Sequence, residues 1–284
     1  MTGRKIGGAL CAVALAFTPQ ALAATQGDST PKAAEPVFQN SPERREVKEK
    51  DWGPWLGPFR EKLVPSLMQD FGERYLYIPA NRKLAPPKPD EDRVVFMGDS
   101  ITDRWDLHRN FGDKPYINRG IGSQVTAQMV LRFQQDVVQL HPRVVVILAG
   151  VNDVQGFLQK ETPETIEQNY EAMADIADRH GIAVVFGSLL PVNNYSEQAH
   201  DVLKERDPAE LRQLNSWLKG FCHGRGYAYA DYYSALVDQN GLMKRELTVD
   251  GVHPLRAGYA IMAPIAQAAI DQALVHSHER KSDR

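Results

Sequence analysis

Three apolar runs constrain the architecture of this chain more than any other feature. Val94-Val95-Phe96-Met97, Val144 to Leu148 and Ile182 to Leu190 are apolar almost without interruption. A strand with one wet face alternates apolar and polar residues; a strand covered on both faces does not. These runs therefore predict a parallel sheet with helices on both sides. The segments between them carry helical signals. Thr126 to Leu140 has helical periodicity, and Thr162-Pro163-Glu164 opens a helix that runs to His180, with Gly181 as its stop. Pro208 to Arg225 reads as helix, Tyr227 to Tyr232 as a short strand, and Leu255 to Leu274 as a closing helix. Strands alternating with helices give an α/β fold. Sites in such folds form beyond the carboxyl ends of the strands.

The residues ahead of this core divide into three parts. Arg4 and Lys5, the apolar stretch Ile6 to Phe17 and the small-x-small triplet Ala21-Leu22-Ala23 have the order of an export signal, cut after Ala23. An uncleaved anchor is the alternative. Residues 24–50 are polar and charged and read as a linker. Residues 51–92 form an N-terminal extension. Its stretch Phe59 to Tyr77 predicts a helix broken at Pro65 and Gly72, and Lys83 to Pro89 predicts the connection to the main domain, residues 93–275. Residues 276–284 read as a polar tail, in which His276 and His278 are solvated rather than metal ligands. Cleavage would remove Cys11 and leave Cys222, so no intramolecular disulfide is expected and a buried thiol is the default. A formal charge of −3 argues against a nucleic-acid partner. No segment after the signal is apolar enough to predict a membrane span.

Four short stretches carry the chemistry. Gly98-Asp99-Ser100-Ile101-Thr102 directly follows the first apolar run, where a serine hydroxyl would sit exposed at the sheet's edge. The competing reading makes Ser100 an ordinary helix N-cap. Asn118-Arg119-Gly120-Ile121-Gly122-Ser123 leads into the Thr126 helix, and its small residues let backbone N–H groups approach an anion. It is no dinucleotide fingerprint, because Val125 stands where the third glycine would be, and no phosphate-binding lysine follows. Gly150-Val151-Asn152-Asp153 follows the second run, and the Asn152 amide can donate to a developing oxyanion. Asp250-Gly251-Val252-His253-Pro254 offers a base whose side-chain type titrates near neutrality, with a carboxylate three residues earlier. Each stretch alone has an ordinary structural explanation as a turn or cap. Together and in this order they supply what acyl transfer requires.

On these four stretches the sequence resembles the SGNH or GDSL hydrolases, from about Arg93 to Leu274. The resemblance implies a flavodoxin-like three-layer α/β/α sandwich around a central parallel sheet. It implies hydrolysis of carboxylic esters without metal or cofactor, on small-molecule, carbohydrate or lipid ester substrates. By motif, Ser100 resembles the nucleophile, His253 the base and Asp250 its partner. Asn152 and the Ser100 N–H resemble oxyanion donors. The third donor falls on Ser123, where the family carries glycine, with Gly122 one residue away. Ile101 stands where the family usually has leucine. Asp103, Arg104 and Trp105 follow the nucleophile and are candidate substrate contacts with Gly122. Trp52, Trp55 and Trp105 otherwise read as core or cover rather than a sugar platform. Acetylated carbohydrate is the favoured substrate, since no long apolar lid is evident. A catalytically silent carbohydrate- or envelope-binding protein, and an acyltransferase to a sugar, are the rivals. The first would be expected to lack Ser or His, and the second differs only in its acceptor.

Overall fold

The structure, a computed structural model, describes residues 52–282, leaving aside the side chains of residues 54, 55 and 276–282. The segments read as export signal and linker, and Cys11, lie outside the described residues, as do the side chains of Trp55, His276 and His278.

Five strands form one parallel sheet: β1 Val94–Gly98, β2 Tyr116–Gly120, β3 Val144–Leu148, β4 Ala183–Gly187 and β5 Ala228–Ala230, in the order β2-β1-β3-β4-β5. The three apolar runs are the three central strands, and every residue of β1, β3 and β4 is buried. Helices precede and separate them: α1 Gly53–Leu67, α2 Ile78–Lys83, α3 Ser100–Asp103, α4 Leu107–Phe111, α5 Thr126–Asp136, α6 Val151–Gln155, α7 Pro163–Arg179, α8 Val202–Glu205, α9 Pro208–Arg225, α10 Tyr232–Leu236 and α11 Arg256–Ser282. Parallel strands require crossovers of a fixed hand. Moving leftward from β1 to β2 and rightward afterwards therefore puts α4 on one face and α5, α7 and α9 on the other. Helix α5 packs on α7, α7 on α9, and α11 packs with α4 and α10. The result is the three-layer sandwich that the resemblance implies.

Several boundaries follow from local chemistry. Thr162 caps α7 by accepting from Thr165 N, and Asp207 caps α9 by accepting from Ala209 N at 2.8 Å. The third apolar run leaves the sheet early, at Gly187. Beyond it, Asn215 accepts from Leu189 N at 2.8 Å and donates to Leu189 O at 2.9 Å, replacing a strand neighbour. Tyr232 likewise belongs to α10 rather than to β5, with Asp231 as its cap. Helix α5 stops at Asp136 and continues as a 3-10 turn, Val138–Leu140.

Three elements differ more substantially from the sequence reading. Tyr116–Gly120 is a strand, where the sequence showed only the small and polar residues of Asn118 to Ser123. It is an edge strand carrying Asn118 and Arg119, so it shows no apolar run. Helix α1 begins before Phe59 and passes through Pro65; it ends ahead of Gly72, and a 3-10 turn Arg74–Leu76 and α2 complete the extension. Helix α11 continues to Ser282, through the segment read as a polar tail. Glu279, Arg280 and Lys281 are good helix formers, and no glycine or proline stops them. Residues 52–92 are also joined to the sheet domain: Asn81 Nδ2 donates to Asp136 at 2.7 Å, and Gln128 Nε2 donates to Phe71 O at 2.7 Å.

Candidate active site

The order β2-β1-β3-β4-β5 reverses direction between β1 and β3. Open α/β sheets bind ligands at that point, beyond the carboxyl ends of the strands. Ser100 follows β1, and Asn152 follows β3.

Gly98 makes the first turn possible. A Cβ there would fall 2.1 Å from Thr102 Oγ1 and 2.5 Å from Leu148 O, so the chain reverses only with no side chain. Asp99 then caps α3, its Oδ1 accepting from Ile101 N at 2.8 Å. Ser100 is the first residue of that helix and not its cap, which leaves its hydroxyl for another partner. Burial pushes the Asp99 carboxyl up to about 6, against the Ile101 N–H and the charges of His253 and Arg206. Its Oδ2 has no hydrogen-bond partner among the described residues.

The turn before α11 brings the imidazole to Ser100. Gly251 has φ +79°, and a Cβ there would lie 2.2 Å from Asn193 O. With the chain bent this way, Asp250 Oδ1 accepts from Val252 N at 3.0 Å and His253 N at 2.8 Å. Asp250 Oδ2 lies 2.7 Å from His253 Nδ1, and His253 Nε2 lies 2.8 Å from Ser100 Oγ. A carboxylate only accepts, so the proton sits on Nδ1 and the Nε2 lone pair accepts from the serine hydroxyl. Burial works to raise the Asp250 carboxyl, but the hydrogen bonds and charge of His253 outweigh it and hold the group well below the usual carboxylate range.

The second stretch lies alongside. Asn118 Nδ2 donates to Thr102 O at 2.6 Å and Trp105 O at 3.1 Å, pinning β2 to the turn that carries Ser100. A Cβ on Gly122 would be 3.9 Å from Ser100 Cβ, so the backbone of Gly122 borders the serine. Ser123 occupies the left-handed region at φ 69°, a conformation that explains why glycine suits this position. Among the described residues, the N–H groups of Ser100, Gly122 and Ser123 have no hydrogen-bond acceptor. Asn152 Nδ2 donates to Gln124 O at 3.0 Å. An amide nitrogen carries two hydrogens, so one remains. Asp153 is turned away from this group. Its carboxylate accepts from Thr126 N and, at 2.6 Å, from Thr126 Oγ1, and burial pushes it up to about 7 against those bonds.

The candidate substrate contacts separate. Asp103 and Arg104 are exposed, and a Gly122 Cβ would be 3.8 Å from Asp103 Oδ2. Partial burial raises the Asp103 carboxyl, against the Arg104 charge. Trp105 is corrected to a core residue: it is 2% exposed, with Phe96 at 5.6 Å and Tyr259 at 5.5 Å between ring centroids. The chain turns after Asp103 and sends the indole under the sheet, where it cannot meet substrate. Two residues of this region went unread in the sequence. Gln124 is fully buried and takes the Asn152 bond. Arg132 is fully buried and donates to Gln124 Oε1 at 2.6 Å, Arg119 O at 2.8 Å and Gly98 O at 3.1 Å. The one signal for Arg132 is Asp136, a carboxylate four residues on.

A cavity of about 850 Å³ lies at the opposite end of the sheet, lined by Pro89, His141, Arg143, His180 and neighbours at the amino ends of β3 and β4. It holds none of the residues above. Among the described residues, no three His, Cys, Asp or Glu side chains are grouped as metal ligands, and no helix is long and apolar enough to cross a membrane. Cys222 is buried, which pushes its thiol up to about 12.

The model of the GDSL-like lipase/acylhydrolase family matches residues 96–261. Among solved structures, a protein of Bacteroides fragilis NCTC 9343 described as an acylhydrolase is 33% identical, with a TM-score of 0.67 over 72% of this chain and 99% of its own. A GDSL-like lipase of Bacteroides thetaiotaomicron VPI-5482 is also 33% identical, with a TM-score of 0.66 over 72% and 100%. An acetyl-xylooligosaccharide esterase of Geobacillus shares the fold at 19% identity, with a TM-score of 0.52 over 63% and 94%. No curated protein matches the chain. With its site motifs, its sheet order and a family match spanning more than half its length, the chain belongs to the GDSL-like lipase/acylhydrolase family, a family of hydrolases acting on esters.

Proposed function

We propose that the protein is an exported serine esterase that works through an acyl-enzyme on Ser100, with acetylated carbohydrate as its preferred substrate. The observation that carries this reading is the unbroken line from Asp250 Oδ2 through His253 to Ser100 Oγ, with steps of 2.7 and 2.8 Å. In the reaction, His253 Nε2 takes the hydroxyl proton as Ser100 Oγ bonds to the ester carbonyl carbon. The negative charge that forms on the carbonyl oxygen is met by the Ser100 N–H, the free hydrogen of Asn152 Nδ2 and an N–H of the Gly122-Ser123 turn. The C–O bond to the alcohol breaks, and the imidazolium gives its proton to that oxygen. Asp250 keeps the ring oriented and stabilises its charged form without taking the proton. Water then repeats the sequence on the acyl-enzyme and releases the acid.

The preference for a short acyl group is supported by what borders Ser100. Gly122 approaches closely, and the exposed neighbours Asp103 and Arg104 are charged, which suits a hydroxylated alcohol better than a long hydrocarbon. The fold neighbour that acts on acetyl-xylooligosaccharide points the same way. Export is supported by Arg4, Lys5, Ile6 to Phe17 and the Ala21-Leu22-Ala23 site. The test is hydrolysis of p-nitrophenyl acetate, butyrate and palmitate by the wild type and by Ser100→Ala. Acetate turnover that the mutant lacks supports the proposal. Equal activity of both proteins removes Ser100 as nucleophile, and a preference for palmitate removes the carbohydrate reading.

A further inference from the structure

We propose that the N-terminal extension takes part in the reaction indirectly: Glu73 and Tyr77 are positioning residues that hold the Ile121–Gln124 loop, and through it the oxyanion donors, against Ser100. The inference rests on the serine-esterase reading above. Both residues lie outside the stretch matched by the family model, which begins at residue 96.

The connections of Glu73 are buried, and that of Tyr77 is partly buried. Glu73 is 5% exposed and has φ 51°, a conformation uncommon in any residue but glycine. Its carboxylate accepts from Gln124 Nε2 at 3.1 Å, and the same nitrogen donates to Gly72 O at 3.1 Å. The other end of that amide, Oε1, accepts from Arg132 Nε at 2.6 Å. Gln124 is thus held at both ends of its side chain, while its backbone carbonyl accepts from Asn152 Nδ2 at 3.0 Å. Fixing Gln124 therefore fixes which way the Asn152 amide faces. It also fixes the end of the turn that contains Gly122 and Ser123. Tyr77 holds the other end of the loop: its hydroxyl donates to Gly120 O, and its ring lies under the Arg119 guanidinium at 4.6 Å.

The charges match the geometry. Burial raises the Glu73 carboxyl, and the Gln124 bond and the Arg132 charge work against that rise. Arg132 in turn donates to Gly98 O and Arg119 O, at the ends of β1 and β2. Replacing the Glu73 side chain by a methyl group leaves the Gln124 Nε2 with Gly72 O as its one acceptor, at the point from which both Asn152 and the turn are aimed. Oxyanion donors act only when aimed at the position the oxyanion will occupy, so small misplacements fall on kcat.

Glu73→Ala, Glu73→Gln and Tyr77→Phe test the proposal, with p-nitrophenyl acetate kinetics and thermal melts on each, and Ser100→Ala alongside. Glu73→Ala is expected to lower kcat about 10- to 50-fold with KM within threefold of wild type. Glu73→Gln, which keeps an acceptor oxygen for Gln124, is expected to regain at least about a third of wild-type kcat. Tyr77→Phe loses one hydroxyl and keeps the ring, and is expected to lower kcat roughly 3- to 10-fold with KM unchanged. If Glu73→Ala does not fold, Tyr77→Phe decides. Wild-type kcat in folded Glu73→Ala or in Tyr77→Phe overturns the proposal, as does a loss that only tracks the folded fraction. Those results leave the esterase reading intact as long as Ser100→Ala is inert. An active Ser100→Ala overturns both.

Discussion

Asp250 engages four hydrogen-bond donors in one turn: the Thr248 hydroxyl and the N–H groups of Val252 and His253 on Oδ1, and the imidazole on Oδ2. It therefore shapes the loop and sets the tautomer together. Asp250→Asn can keep the acceptor but presents an N–H where a lone pair is needed, favouring the wrong tautomer of His253. A kcat lower by about 10²- to 10⁴-fold is expected, far more than the accompanying loss of folded protein accounts for; kinetics together with thermal unfolding check it. Asn152→Ala removes one of the oxyanion donors proposed above. It should cost about 10²- to 10³-fold in kcat with little change in KM, and steady-state kinetics on p-nitrophenyl acetate would show it. At this scale the sequence is highly legible. Ser100, Asp250 and His253 meet because a strand-end turn and a pre-helix turn each carry recognisable residues at fixed spacing. Trp105 shows where that reading stops. Its nearness to Ser100 in sequence says nothing of which way the chain turns after Asp103, and the indole goes into the core.

At the scale of elements, α5 joins the sheet to the site. Met129 and Phe133 turn inward and are fully buried, as apolar residues four apart on a helix should be. Arg132 is buried beside them and paired with Asp136 at 3.3 Å. Removing one member of a buried charged pair costs about 3–5 kcal/mol. Arg132→Met should therefore lower the melting temperature by roughly 10 °C, and calorimetry against wild type checks this. The periodic pattern of α5 was readable, whereas the role of Arg132 was not, because a charged residue on a helix is ordinarily read as solvated. Strand β2 was hidden for a related reason. It is an edge strand whose Asn118 side chain bonds to Thr102 O and Trp105 O, so its polar residues serve the turn instead of forming an apolar run. Short helices such as α3 and α6 gave no periodic signal, since tertiary hydrogen bonds hold them.

For the whole molecule, the buried carboxyls tie stability to pH. Asp153 is pushed up to about 7 and Asp99 to about 6, both by burial. Between pH ~4, where an unfolded aspartate loses its proton, and these values, the folded state keeps a proton that the unfolded state has released. Stability from these two groups therefore falls as pH rises through that window and levels off above about 7. Asp250 acts in the opposite sense: its depressed value adds stability at pH above ~4, which is lost on acidification below the usual aspartate range. Asp153→Asn is neutral throughout and should flatten the fall in melting temperature between pH 5 and 7 by roughly 3 °C per pH unit. A slope identical to wild type would remove Asp153 as its source. The central sheet and its site edge were legible because the three buried strands are apolar along their length. The packing of residues 52–92 was not, because contacts such as Asn81 with Asp136 join residues far apart in sequence.

Labelling with a fluorophosphonate, followed by peptide mass spectrometry, tests the identity of the nucleophile most directly. A single adduct on the peptide containing Ser100 is expected, absent from Ser100→Ala and slowed by about 10²-fold or more in His253→Ala. An unmodified Ser100 in the wild type, or an adduct on another residue that persists in Ser100→Ala, would contradict the assignment.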